Sequence, residues 1–157
     1  FEGSEPYLVA APLPNQCAAV VVYNLTEPTR AVEAKIGPAD YQSAAGLLNR
    51  ERYSWPEASE GLVLYDWYDG ECIELTSDLK FQLAEFEDRL MLLCPIRSGW
   101  AVIGRPDKYL GPAAVEVLQV KKEQVTLRCG EAGQIILWKE GRSRMIDADA
   151  GVLEISA

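Results

Sequence analysis

The stretch from Leu62 to Gly104 constrains the fold most, because it is a series of strand-like runs punctuated by tight-turn residues. Leu62 to Tyr68 is rich in aromatic and branched side chains, and Asp69-Gly70 follows it. Beyond that dipeptide, Cys72, Glu74 and Thr76 alternate with Ile73 and Leu75. A two-residue Asp-Gly turn between alternating runs is the strongest short-range hairpin signal. A second hairpin is predicted at Arg97-Ser98-Gly99, between Leu90 to Ile96 and Trp100 to Gly104.

The flanking segments extend the pattern. Tyr7 to Ala11, set among Pro6, Pro12 and Pro14, reads as a short edge strand. Cys17 to Asn24 is a continuous apolar run of strand length and should lie centrally, buried on both faces. Thr29 to Ile36 alternates until Gly37-Pro38 stops it. Residues 38 to 61 read as a long crossover holding one short helix. Asp78 to Phe86 reads as a strand with Phe81, Leu83 and Phe86 inward; Tyr109-Leu110 is a brief extended element. Ala113 to Val120, Gln124 to Cys129, Gln134 to Glu140 and Gly151 to Ser156 close the chain. Ten or so strands at this spacing predict an all-β, antiparallel two-sheet β-sandwich, Greek-key or jelly-roll-like, with at most one short helix. The 157 residues suit a single domain, 1–157. The start at Phe1 without a methionine is expected of a piece of a longer polypeptide.

Composition narrows the chemistry. Lys and Arg number 15 against 24 Asp and Glu, a net charge of -9, which opposes nucleic acid and anionic membrane surfaces as partners. Sugars and protein surfaces carry no such penalty. With no histidine, Ser/His/Asp and Cys/His catalysis and histidine metal sites are removed. Cys17, Cys72, Cys94 and Cys129 are widely spaced and form no CxxC pair, so no metal site is expected. They read as buried, reduced thiols, with a disulfide as the alternative. No cofactor is implied, and the compartment stays open, with the cytoplasm favoured. Asn24-Leu25-Thr26 matches the glycosylation triplet, a pattern that arises often by chance.

Asp66, Asp69 and Glu71 bracket the first hairpin, but Asp69 is explained by its turn, and Asp66 and Glu71 read as solvent-facing. No G-x-S-x-G elbow or phosphate loop occurs. No residue is nominated as catalytic. Tyr65, Trp67, Trp100 and Trp138 read as core aromatics. Tyr53, Trp55 and Tyr109 are the candidates for contact with carbohydrate or with another domain; Tyr53 and Trp55 lie in the irregular connection, where flat rings can stay exposed.

VVVYNLTE, IGPADYQSAAGLL and GLVLYDWYDGECIELTSDLKFQLAEFEDRLMLLCPIRSGWAVIGRPDKYL together resemble the C-terminal β-sandwich of α-galactosidase-like glycoside hydrolases, of the family 36 and raffinose-synthase-like kind. The matching positions are Tyr23-Asn24, Asp40, Tyr65 to Glu71 and Cys94-Pro95-Ile96. In that family the catalytic aspartates lie in a preceding (β/α)8 barrel, so the resemblance carries over no catalytic residue. It implies an accessory domain of a carbohydrate-active enzyme, with the catalytic barrel of the same polypeptide as its partner. An autonomous carbohydrate-binding module is the alternative.

Overall fold

The computed structural model describes residues 6–25, 30–47 and 58–157. The expected all-β antiparallel sandwich is what the chain forms, the strands among the described residues being hydrogen-bonded into four sheets. In chain order the elements are β1 (Tyr7–Pro12), β2 (Ala18–Tyr23), β3 (Val32–Ile36), α1 (Pro38–Ala45), β4 (Leu62–Asp66), β5 (Glu71–Leu75), β6 (Leu79–Leu83) and β7 (Asp88–Pro95). They continue with β8 (Trp100–Gly104), β9 (Val115–Lys121), β10 (Gln124–Cys129), β11 (Gly133–Lys139), β12 (Arg142–Ala148) and β13 (Gly151–Ser156). The sheets are β1-β2-β7-β4-β5, β3-β6, β12-β11-β8 and β13-β10-β9.

Side-chain alternation stacks these sheets. Leu62 and Leu64 of β4 join a cluster with β3, β6 and α1, which includes Ile36, Tyr41 and Leu83. Val63 and Tyr65, pointing the other way, meet Ala101, Ile103, Ile136 and Trp138 of β8 and β11. The opposite faces of β8 and β11 supply Trp100, Val102, Ile135 and Leu137 to a third cluster with Val125, Leu127 and Ile155. Every side chain of β4 and of β8 is therefore buried. Their unbroken apolar runs are what a strand sandwiched on both sides requires.

The turns show which local signals decide. At Ser98-Gly99 both residues have positive φ, 49° and 80°, and Arg97 and Trp100 exchange backbone hydrogen bonds of 2.8 and 2.9 Å. That is the two-residue turn whose twist matches its strands. The first hairpin differs from the predicted two-residue turn. Asp66 pairs with Glu71, leaving a loop of residues 67 to 70, because the Asp66 carboxylate accepts the amides of Tyr68 (3.1 Å) and Asp69 (3.2 Å). An aspartate that captures the amides after it ends a strand early.

Two further expectations are corrected, and one strand is added. Phe86 is 68% exposed in the turn before β7, held at φ 57°, and does not face inward. Asp66 is buried, not solvent-facing. Arg142–Ala148, which no apolar pattern announces, is an edge strand paired with β11, almost wholly exposed and therefore free of apolar periodicity. The short helix is α1, opened by Pro38 and by Asp40, whose carboxylate accepts the Gly37 amide at 2.8 Å.

Candidate aromatic ledge

The polar residues of the quoted motifs are structural ties. Asn24 is buried, and its side-chain amide donates to the carbonyls of Arg30 (2.6 Å), Leu83 (3.2 Å) and Ala84 (2.9 Å), binding the end of β2 to the β6–β7 turn. In this fold it is committed to the interior, which removes it as a glycosylation acceptor. Asp40 caps α1. Asp66 pairs with Arg89, which also holds Asp69 at 2.9 Å and Glu87 at 3.4 Å. Burial disfavours the Arg89 charge, but Asp66 and Asp69 outweigh it and raise its pKa. A carboxylate pair neutralised by one arginine and by backbone amides is a fastening.

The early end of β4 creates the site. Trp67 and Tyr68 leave the strand and enter the loop, so Trp67 only partly joins the core while Tyr68 is 51% exposed. Of the four aromatics read as core, Tyr65, Trp100 and Trp138 are buried, and Trp67 is the one displaced. Tyr109 lies against it, ring centroids 4.6 Å apart and planes inclined by 29°, a stacked pair with the tyrosine 67% exposed. Tyr68 meets Trp67 edge-on at 5.6 Å, and its hydroxyl donates to Asp88 at 2.7 Å. That hydrogen bond raises the Tyr68 pKa, with smaller contributions from Tyr109 and Tyr23. Tyr23 is the cross-strand partner of both Asp88 and Tyr7, and its ring lies 6.2 Å from that of Tyr7. Tyr7, Tyr23, Tyr68, Trp67 and Tyr109 thus form one aromatic ledge at the end of the five-stranded sheet that β8 and β11 leave open.

A pinned strap holds Tyr109 in place. Arg105, itself buried, binds both oxygens of Asp107 (2.9 and 2.6 Å), donates to the carbonyl of Ala132 (3.1 Å) and pairs with Glu131 (3.2 Å). The hydrogen bond from Arg105 lowers the Asp107 pKa. At Gly104, with φ 91°, a Cβ would lie 2.2 Å from the Gly111 carbonyl oxygen, so the two ends of the strap meet only through glycine. Trp67 then donates its indole N–H to the Lys108 carbonyl at 3.0 Å. The strap and the hairpin loop are fastened to each other.

Of the three candidates read from the sequence, Tyr109 belongs to this ledge; Tyr53 and Trp55 lie outside the described residues. Tyr7, Tyr23 and Tyr68 were not nominated. The signal for Tyr68 was the Asp66-x-x-Asp69 pattern, which ends the strand before it. Nothing local marks Tyr7 and Tyr23, whose exposure depends on where another sheet stops.

Elsewhere, a cleft of about 370 Å³ contains Glu60, Glu74 and Glu140 around Trp138. Glu60 is engaged as a cap, accepting the amides of Ser98 (2.6 Å) and Gly99 (3.1 Å), and Glu140 lies 3.6 Å from the Lys139 ammonium. Among the described residues, no group of three or more acidic or cysteine side chains is placed to hold a metal.

No protein-family model matches the sequence, and no curated protein matches it. Among solved structures, the isomalto-dextranase of Arthrobacter globiformis T6 complexed with panose, a glycoside hydrolase, is similar over 94% of this chain, with 10% identity and a TM-score of 0.39. The chain spans about a third (33%) of that protein's length. At that distance the likeness transfers no function.

Proposed function

We propose that this chain is a non-catalytic β-sandwich domain of a larger carbohydrate-active enzyme acting on α-glycosides, packing on and stabilising a catalytic barrel of the same polypeptide. The aromatic ledge is its saccharide-facing surface. The observation that carries this reading is the Trp67–Tyr109 stack, with Tyr109 presented on a pinned strap instead of folded into the core. Flat, rigid, uncharged rings suit the apolar faces of sugar rings, and the tyrosine hydroxyls supply polar contacts at their rims. The motif resemblance supports the same class, and the structural duties of Asn24, Asp40 and Asp66 fit a domain that contributes architecture.

Tyr109's exposure also favours the second reading, an autonomous carbohydrate-binding module. The mass of the native gene product separates the two: a product several times 157 residues supports the accessory domain, and one of this size supports the module. Saccharide binding is tested by calorimetric titration with α-galactosides and α-glucans. Binding by the chain and its loss in Tyr109→Ala is the expected result. Undiminished binding by Tyr109→Ala would remove the ledge from the reading.

A further inference from the structure

We propose that Cys17 and Cys94 form a redox-convertible cross-strand pair, a site at which a low-molecular-weight disulfide installs a Cys17–Cys94 bridge. β2 and β7 run antiparallel with Ala18 opposite Leu93. One step further in that register sets Cys17 opposite Cys94. The backbone of Cys17 stays extended (φ -86°, ψ 166°), but its N–H and C=O are used within its own turn. The amide donates to the Pro14 carbonyl at 3.3 Å, and the carbonyl accepts from Leu13 at 2.8 Å. The two cysteines therefore meet as a non-hydrogen-bonded pair, the closer kind of antiparallel neighbour, a class whose Cα atoms typically lie about 4.5 Å apart. That separation falls within the range of about 4.4 to 6.8 Å that disulfides span.

Both side chains belong to the same buried cluster, so their Cβ vectors lie on one face of the sheet. A hydrogen bond with Cys17, together with burial, pushes the Cys94 thiol well above its ordinary value. The two remaining cysteines are placed differently. Cys72 is half-buried on β5, beyond β4 from Cys94, and Cys129 packs in the cluster on the far side of β8 and β11.

The route to the pair is through Cys17. It lines a cavity of about 20 Å³ with Asn15, Arg97 and Trp100, and follows Asn15 and Gln16, both non-glycine residues at positive φ of 62° and 58°. Opening that turn exposes Cys17 first. Its thiolate attacks one sulfur of the small disulfide RSSR, forming a mixed disulfide and releasing RS⁻. The Cys94 thiolate then attacks the Cys17 sulfur and expels the second RS⁻. The two thiol protons end on two RSH, so the cysteines are oxidised by two electrons and RSSR is reduced to two thiols. The bridge ties the segment before β2 to β7 across a loop running from residue 17 to residue 94, and so constrains the unfolded chain.

The test is to refold the full chain from denaturant in a buffer of oxidised and reduced glutathione, so that access does not limit exchange. The product is then denatured, alkylated with N-ethylmaleimide and weighed intact. Expected are two alkylated cysteines instead of four, one peptide joining Cys17 to Cys94, and a Tm about 5 to 10 °C above that of the reduced chain. Cys72→Ser and Cys129→Ser should bridge normally. Cys17→Ser and Cys94→Ala, two variants so that one folding failure does not decide, should not. Four alkylated cysteines, a stable glutathione adduct, or a bridge through Cys72 or Cys129 would each overturn the proposal.

Discussion

The two faces of the five-stranded sheet follow the same alternation and meet different fates. One face, carrying Val20, Val22, Leu64, Met91 and Leu93, is closed by β3, β6 and α1. The other is closed by β8 and β11 over a cluster that includes Cys17, Ala19, Leu90, Leu92, Cys94, Val63 and Tyr65, and continues past that cover into Val9, Tyr23 and Tyr7. The residues that continue past it are largely aromatic, and the strap from Arg105 adds Tyr109 to them. Apolar side chains on a covered face contribute stability by leaving water; the same kind of residue on an uncovered face remains available to a partner.

The covered face should respond most strongly to truncation. Leu64→Ala, at a fully buried position, should cost about 2 to 5 kcal/mol, read as a lower denaturation midpoint at unchanged slope. A loss below that range would mean that the covering sheet collapses into the space.

Tyr41 tests the same layer through pH. Its hydroxyl donates to the Gln16 carbonyl at 2.8 Å, and burial raises its pKa above the ordinary 10.0. A tyrosine raised in the folded state favours folding fully below pH 10 and loses that contribution as pH climbs toward the folded value. Stability should therefore fall as pH rises above about 10, the ordinary tyrosine value, and more shallowly in Tyr41→Phe. Equal slopes in the two proteins would place the effect elsewhere.

On the open face, Arg105→Gln should loosen the strap with little change at the covered face. The expected readout is faster hydrogen exchange at the Trp67 indole N–H, which Lys108 now holds. Asp107, lowered by the same arginine, stabilises the strap above its ordinary 3.8, and that contribution is lost as pH falls below it. An indole proton that exchanges no faster in the variant would show that Trp67 does not depend on the strap.

The smallest change in stability belongs to Tyr109→Ala. Two-thirds exposed, the ring should contribute no more than about 1 kcal/mol through its stack on Trp67. A larger loss of stability would make the ledge part of the core.

Much of the frame is legible in local chemistry. Ser98-Gly99 forms the tight turn its residues demand, the VVV run of β2 is a buried strand, and the continuous apolar stretches of β4 and β8 are flanked by sheets on both sides. The end of β4 is harder to read, because Trp67 and Tyr68 favour a strand while Asp66 favours a turn, and the turn prevails through two amide hydrogen bonds. β12 escapes notice for the opposite reason: an exposed edge strand needs no apolar period, and RSRMIDA has none. Tyr109 was legible as a contact candidate, but its partner Trp67 was read as core.

What this sequence determines by itself is where most of its buried strands run and turn, since hairpin geometry and alternation act between residues a few positions apart. Tertiary structure alone decided how far β8 and β11 extend over the five-stranded sheet, that residue 109 lies on residue 67, and that Cys17 and Cys94 share one buried cluster. Alternation states which side chains share a face. What covers that face is set by segments distant in the chain, because burial and stacking depend on proximity in space.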